Sequence, residues 1–168
     1  EPGHAGPDEE QEVADQAAST RTSLAQIKQK YGGEAAESSP GAIRDTLAKL
    51  NLASKIKRGQ SVALTAGSRG IANIPVILKS AVQHLRDLGA QPFLVPAMGS
   101  HGGAVAEGQT EVLHSYGITE EFVGAPIRSS MEVVQLGSTP EGWPVFLDKN
   151  ASTADHIGVV ARVKPHTN

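Results

Sequence analysis

Apolar positions along this chain recur at two different periods, and the switching between them outlines a fold. Residues 71–89, "IANIPVILKSAVQHLRDLG", place Ile74, Ile77, Leu78, Ala81, Val82, Leu85 and Leu88 on one helical face, with Gly89 as the stop. Short apolar runs flank it, "GQSVALTAG" at 59–67 and "AQPFLVPAM" at 90–98, with the length and composition of buried strands. A second helix is predicted over 104–117, stopped by Gly117. Upstream, "SSPGAIRDTLAKLNLASKI" reads as a helix in which Ser39 caps the start, Pro40 fills the first turn, and Ile43, Leu47 and Leu50 share a face. Before it, "SLAQIKQKY" is expected as a short helix and "GGEAAESSPG" as a linker.

Strand, helix, strand, helix with short connections is the pattern of a parallel sheet covered by helices and wound right-handed. The expected class is therefore α/β, Rossmann-like. From 125 onward the pattern changes to "SSMEVVQLG" and "GWPVFLD" around the turn "STPEG", which predicts a small β-hairpin insertion. "ASTAD" reads as a helical turn, and "DHIGVVARV" as a last, buried strand over 156–163. The chain stops five residues later in the loop "KPHTN", so it is expected to be part of a longer protein. Its division is expected to be an acidic tail over 1–24 and an α/β domain over 25–168.

Composition narrows the classes. A length of 168 residues supports one sizeable core, and 39% hydrophobic with 20% charged residues is ordinary for a globular chain. No apolar run reaches the roughly 20 residues of a membrane span. Without cysteine, any metal site would have to use histidine or carboxylate. The net charge of −3 hides an asymmetry: residues 1–20 hold six of the 18 acids and no Lys or Arg, so the remainder carries 12 acids against 15 bases. That excess is too small to suggest nucleic acid, and one Trp, two Tyr and three Phe make no stacking surface.

Three strands end in polar, turn-rich loops. The first delivers Ser68, Arg69 and Gly70, the second Ser100, His101 and Gly102, and the last Lys164 and His166. Ligands of open parallel sheets bind beyond the carboxyl ends of the strands, so these loops are expected on one rim. Imidazole is the side chain best suited to proton exchange near neutrality, and an arginine fork suits an anion. Each also has a plain reading, as a solvated loop histidine or a surface arginine. His4, His84, His114 and His156 show no metal-ligand spacing and receive no role. Ser100 is unsuited to a nucleophile elbow, because Met98 stands where G-x-S-x-G needs its first glycine.

A dinucleotide fingerprint fails in the first loop. Against T-G-x-x-x-G-x-G the chain has Thr65 and Gly70, but Ala66 and Ala72 replace the other two glycines. Neither Tyr31 nor Tyr116 is followed by Lys four residues on, as a dehydrogenase of that type requires.

The segments "VALTAGSRGIANIP", "VPAMGSHGGA", "GITEEFVGAPIRSS" and "ARVKPHTN" resemble, in this order, the N-terminal domain of the nickel-dependent lactate racemase family. The resemblance runs from about residue 25 to 168. It implies a nickel pincer nucleotide, made from nicotinic acid and held between two domains. It also implies that His101, of a G-[ST]-H motif, and His166, of a P-H motif, are the two catalytic histidines. Arg69 matches the arginine of a D-x-T-R-P motif that holds substrate or cofactor, and Ser68, Gly70, Ser100, Gly102 and Lys164 are expected beside it. The implied reaction is proton-coupled hydride transfer. One histidine takes the hydroxyl proton of a 2-hydroxy acid while the cofactor takes the α-hydride, and hydride return to the other face inverts the centre.

The motif is not intact, since Ala66 replaces its Asp and Gly70 its Pro. The family's covalent lysine and nickel-ligating histidine lie downstream of the P-H motif, so this chain alone is expected to be inactive and to hold no cofactor. The implied partners are a small hydroxy acid and the chain's own C-terminal domain, with no nucleic acid and no membrane. The implied location is cytoplasmic, and a homo-oligomer stays compatible with the sequence. An NAD-type oxidoreductase and a non-catalytic anion- or nucleotide-binding module of the same fold are the alternatives.

Overall fold

The computed structural model describes residues 40–68 and 71–161. Helix α1 (Pro40–Ala48) and a single 3-10 turn at Leu52–Ser54 precede strand β1 (Ser61–Ala66). Helix α2 (Ile74–Asp87), strand β2 (Gln91–Pro96), a 3-10 turn at His101–Ala104, and helices α3 (Ala106–Ser115) and α4 (Glu120–Val123) follow. The last elements are β3 (Val133–Ser138), β4 (Pro144–Asp148), α5 (Lys149–Ser152) and β5 (His156–Gly158). Strands β2, β1 and β5 form a parallel sheet with β1 in the centre, and β3 and β4 form a separate antiparallel hairpin. The α/β class with a hairpin is as the alternating periods predict.

Strand parity divides the core between the two faces of the sheet. Val62, Leu64, Ala66 and Leu94 join Leu78, Val82 and Leu85 of α2 and Leu113 of α3 in the larger cluster. Ala63, Phe93 and Val95 pack with Ala151 of α5, with Leu147 of β4 against them, in a smaller one. The hairpin is thus attached to the sheet through Leu147. Its outer positions stay in solvent, with Leu136, Trp143 and Phe146 all more than half exposed. No described helix is long and apolar enough to cross a membrane.

Three expectations need correction. The helix predicted up to Ile56 stops at Ala48, because Asn51 adopts a left-handed backbone (φ 48) and the chain re-enters only a 3-10 turn. Leu50 is consequently exposed rather than on a buried face. The last strand is three residues long and lies at the sheet edge, with Ile157 and Val159 exposed, so it is not a buried strand. Beyond Gly158 the ladder is diverted: the Val160 N–H donates to the Thr65 hydroxyl (2.9 Å) instead of to β1 backbone. Helix α4 and the single parallel bridge of Ile127 to Leu94 were not foreseen. Residues 1–24, the short helix from Ser23, the Ser39 cap and the end of the predicted last strand lie outside the described residues.

Asp155 fastens the edge strand to the central one. Its carboxylate accepts from the Ser61 N–H (2.8 Å) and hydroxyl (2.7 Å), and its own N–H donates to the Ser61 oxygen (3.0 Å). The Ser61 N–H, then its hydroxyl, hold the Asp155 carboxyl below the usual carboxylate range. A depressed folded-state pKa stabilises above the unfolded value, near 3.9, and that contribution is lost as pH falls through the folded value. Asp155→Ala is expected to lower the Tm at pH 7, with the gap to wild type closing as the pH falls through the lowered Asp155 value. A gap that does not change with pH would show that ionisation of Asp155 is irrelevant.

Candidate functional site

Parallel pairing sets the carboxyl ends of β1 and β2 side by side. Ala66 lies opposite Pro96, and the Ala97 N–H extends the ladder to the Ala66 carbonyl at 2.8 Å. The two loops that follow leave from the same edge, as the rim expectation requires. Ser68 stands two residues beyond β1 and is 8% exposed. His101 opens the 3-10 turn after β2 and is half-buried. Its Nδ1 is hydrogen-bonded to the Ser68 hydroxyl, which joins the two loops side chain to side chain.

The backbone that carries His101 is locked from below. Its N–H donates to the carbonyl of buried Met98 (3.3 Å), and the amide of Gln109, only 5% exposed, donates to the Gly99 carbonyl (2.8 Å). Gly102 and Gly108 then touch backbone to backbone. A Cβ on Gly102 would lie 2.4 Å from the Gly108 carbonyl carbon, and one on Gly108 would lie 2.0 Å from the Gly102 oxygen. The loop is thereby folded onto the first turn of α3. The start of α3 is held in turn by the Ser129 hydroxyl, which donates to the Ala106 carbonyl at 2.8 Å.

Of the eight residues predicted for the site, Ser68 and His101 are in contact. Ser100 is exposed next to His101, and its side chain caps no helix. Gly102 is turned inward against α3, where it serves the loop's close packing. Arg69, Gly70, Lys164 and His166 lie outside the described residues. Sequence reasoning missed Gln109 and Gly108. A polar residue inside a helix carries no mark of burial, and the partner of Gly108 is distant in the pattern although near in space.

The remaining described histidines stay apart. His84 and His156 line an apolar hollow of about 320 Å³ with Leu47 and Ile56. The His156 Nε2 contacts the Gln60 Oε1 at 2.9 Å, and His114 is exposed. A second hollow of about 340 Å³, lined by Arg86, Phe93 and Arg128, also excludes Ser68 and His101; there the Arg128 guanidinium lies 4.1 Å above the Phe93 ring.

A flat, charged cofactor needs a surface without protruding side chains, and the loop around His101 offers one. At Gly99 and Gly103 the position of a Cβ has no atom of the described residues within 4 Å, so on both sides of His101 the backbone is bare of described neighbours. That is the surface a planar group can approach closely. Among the described residues no three His, Asp or Glu side chains gather as a metal-ligand set. The fit therefore concerns contact and proton exchange, through His101 and the glycine backbone. Comparison of the chain with family models, with curated proteins and with solved structures finds no match to any of them.

Two glycine substitutions separate packing from backbone strain. Gly103→Ala meets no neighbour among the described residues but forces alanine to φ 71, and is expected to cost about 1–2 kcal/mol. Gly108→Ala, which drives its Cβ into the Gly102 carbonyl, is expected to cost more, with His101 displaced. Urea denaturation of the two variants checks the order, and equal midpoints would refute the interlock.

Proposed function

We propose that this chain is the N-terminal part of a racemase or epimerase of 2-hydroxy acids that works with a nickel pincer nucleotide by proton-coupled hydride transfer. The observation that carries this reading is the placement of His101: it stands at the carboxyl edge of a parallel sheet, anchored by Nδ1, with the bare backbone of Gly99 before it and of Gly103 after it. That arrangement is what an acid/base group needs, since efficient proton exchange requires a fixed nitrogen within hydrogen-bond reach of the reacting oxygen. The sequence resemblance supplies the rest.

When bound, the cofactor supplies a hydride acceptor. The chain's own contribution is proton handling and orientation. His101 takes the hydroxyl proton of one enantiomer and returns a proton to the carbonyl oxygen formed from the other. On the resemblance, His166 does the same from the opposite side, and Arg69 and Lys164 hold the acid's carboxylate or the cofactor's phosphate. The second domain completes the site, and the protein acts in the cytoplasm.

The test uses the full-length protein produced together with the enzymes that make the cofactor. Stoichiometric nickel and interconversion of 2-hydroxy acid enantiomers in a chiral assay are expected. His101→Ala is expected to cut turnover by about 100- to 10,000-fold while nickel is retained. A folded protein with neither nickel nor racemisation overturns the reading.

A further inference from the structure

We infer that Ser68 is a positioning residue for His101: its buried hydroxyl occupies Nδ1 and commits Nε2 to proton exchange with the ligand. Ser68 gains that catalytic meaning only if His101 exchanges protons as proposed above, whereas the nitrogen it occupies is a matter of geometry alone. An imidazole turns about two side-chain bonds and can present either nitrogen. Here both ends are tied. The backbone end is held by the bond to the Met98 carbonyl and by the Gln109 clamp on Gly99. The ring end is held by Ser68, which follows the central strand and is 8% exposed. Nε2 has no protein partner among the described residues.

A hydroxyl suits this task in a way a carboxylate does not. It can accept from Nδ1–H or donate to a bare Nδ1, so the contact survives a change of protonation on the ring. In the forward step the substrate O–H bond breaks and an Nε2–H bond forms. The resulting imidazolium keeps its Nδ1–H on the Ser68 oxygen. In the return step Nε2 gives its proton back to a substrate oxygen, and Ser68 has exchanged none. Its role is distinct from the place beside substrate or cofactor that the resemblance implies for it.

Alkylation of the whole chain by bromoacetate reports which nitrogen is free, because a ring nitrogen displaces bromide to form a nitrogen–carbon bond whose position is read on the isolated peptide. Wild type is expected to be modified at His101 on Nε2 alone. Ser68→Ala is expected to give both Nε2 and Nδ1 products, and Ser68→Thr, which keeps the hydroxyl, to restore Nε2 alone. In the full-length protein Ser68→Ala is expected to lower kcat about 10- to 100-fold with little change in KM, and Ser68→Thr to recover it. Alkylation on Nδ1 in wild type, no modification of His101, or an Ser68→Ala product pattern identical to wild type would each overturn the positioning role. Wild type and Ser68→Thr decide the matter even if Ser68→Ala does not fold. Nε2-only alkylation in a full-length protein that does not racemise upholds the positioning and removes the racemase reading instead.

Discussion

Everything at the candidate site depends on the parallel pairing of β1 with β2. Six consecutive residue pairs, from Ser61 with Gln91 to Ala66 with Pro96, bring two segments thirty positions apart in the chain to the same edge. Antiparallel pairing would send their loops to opposite ends. The register is equally constrained, because a slip of one residue exchanges the two faces of a strand. Such a slip would expose Val62 and Leu64 to the thin layer under the hairpin and turn Ala63 toward α2. The difference in depth between the two clusters therefore fixes where Ser68 and His101 emerge.

The second strand's loop then does what a free loop would not. Gly102, Gly103 and Ala104 run through left-handed backbone in succession (φ 67, 71 and 55), a conformation that costs energy at the alanine. The interlock with Gly108 and the Gln109 clamp hold it there. Strain concentrated beside one half-buried histidine, and compensated by packing underneath it, is the usual condition of a group whose position matters.

Much of this was legible in the sequence, and the exceptions have physical causes. The stripe of α2 was readable because one helix face is buried along its whole length, and Ile74, Leu78, Ala81, Val82 and Leu85 are all in the core. The strands of the sheet centre were readable for the same reason. The rim histidine followed from topology, since parallel strands send their loops to one side. What stayed hidden was set by single local events: Asn51 turning left-handed, Thr119 capping a four-residue helix (Phe122 N–H to Oγ1, 3.2 Å), and Val160 bonding a side chain. The end of β5 was misread because Ile157 and Val159 look like core residues in sequence. An edge strand has a neighbour on only one side, and apolar composition does not reveal which strand that will be.

An aspartate at position 66, as the resembled motif would have it, fits this geometry poorly. Ala66 is completely buried, on the helix-covered face of the sheet, in a cluster that includes Leu64, Leu94 and Met98. A carboxylate in those surroundings would require a buried partner or would have to remain protonated. Two residues further on, past the end of the strand, Ser68 is still nearly buried but reaches His101. The polar contact to the ring is thus made by a neutral hydroxyl outside the apolar layer, and the position inside that layer stays apolar. This division keeps the core intact without leaving the imidazole unanchored. It also leaves the ring's partner uncharged, so the loop holds His101 by direction rather than by an ion pair.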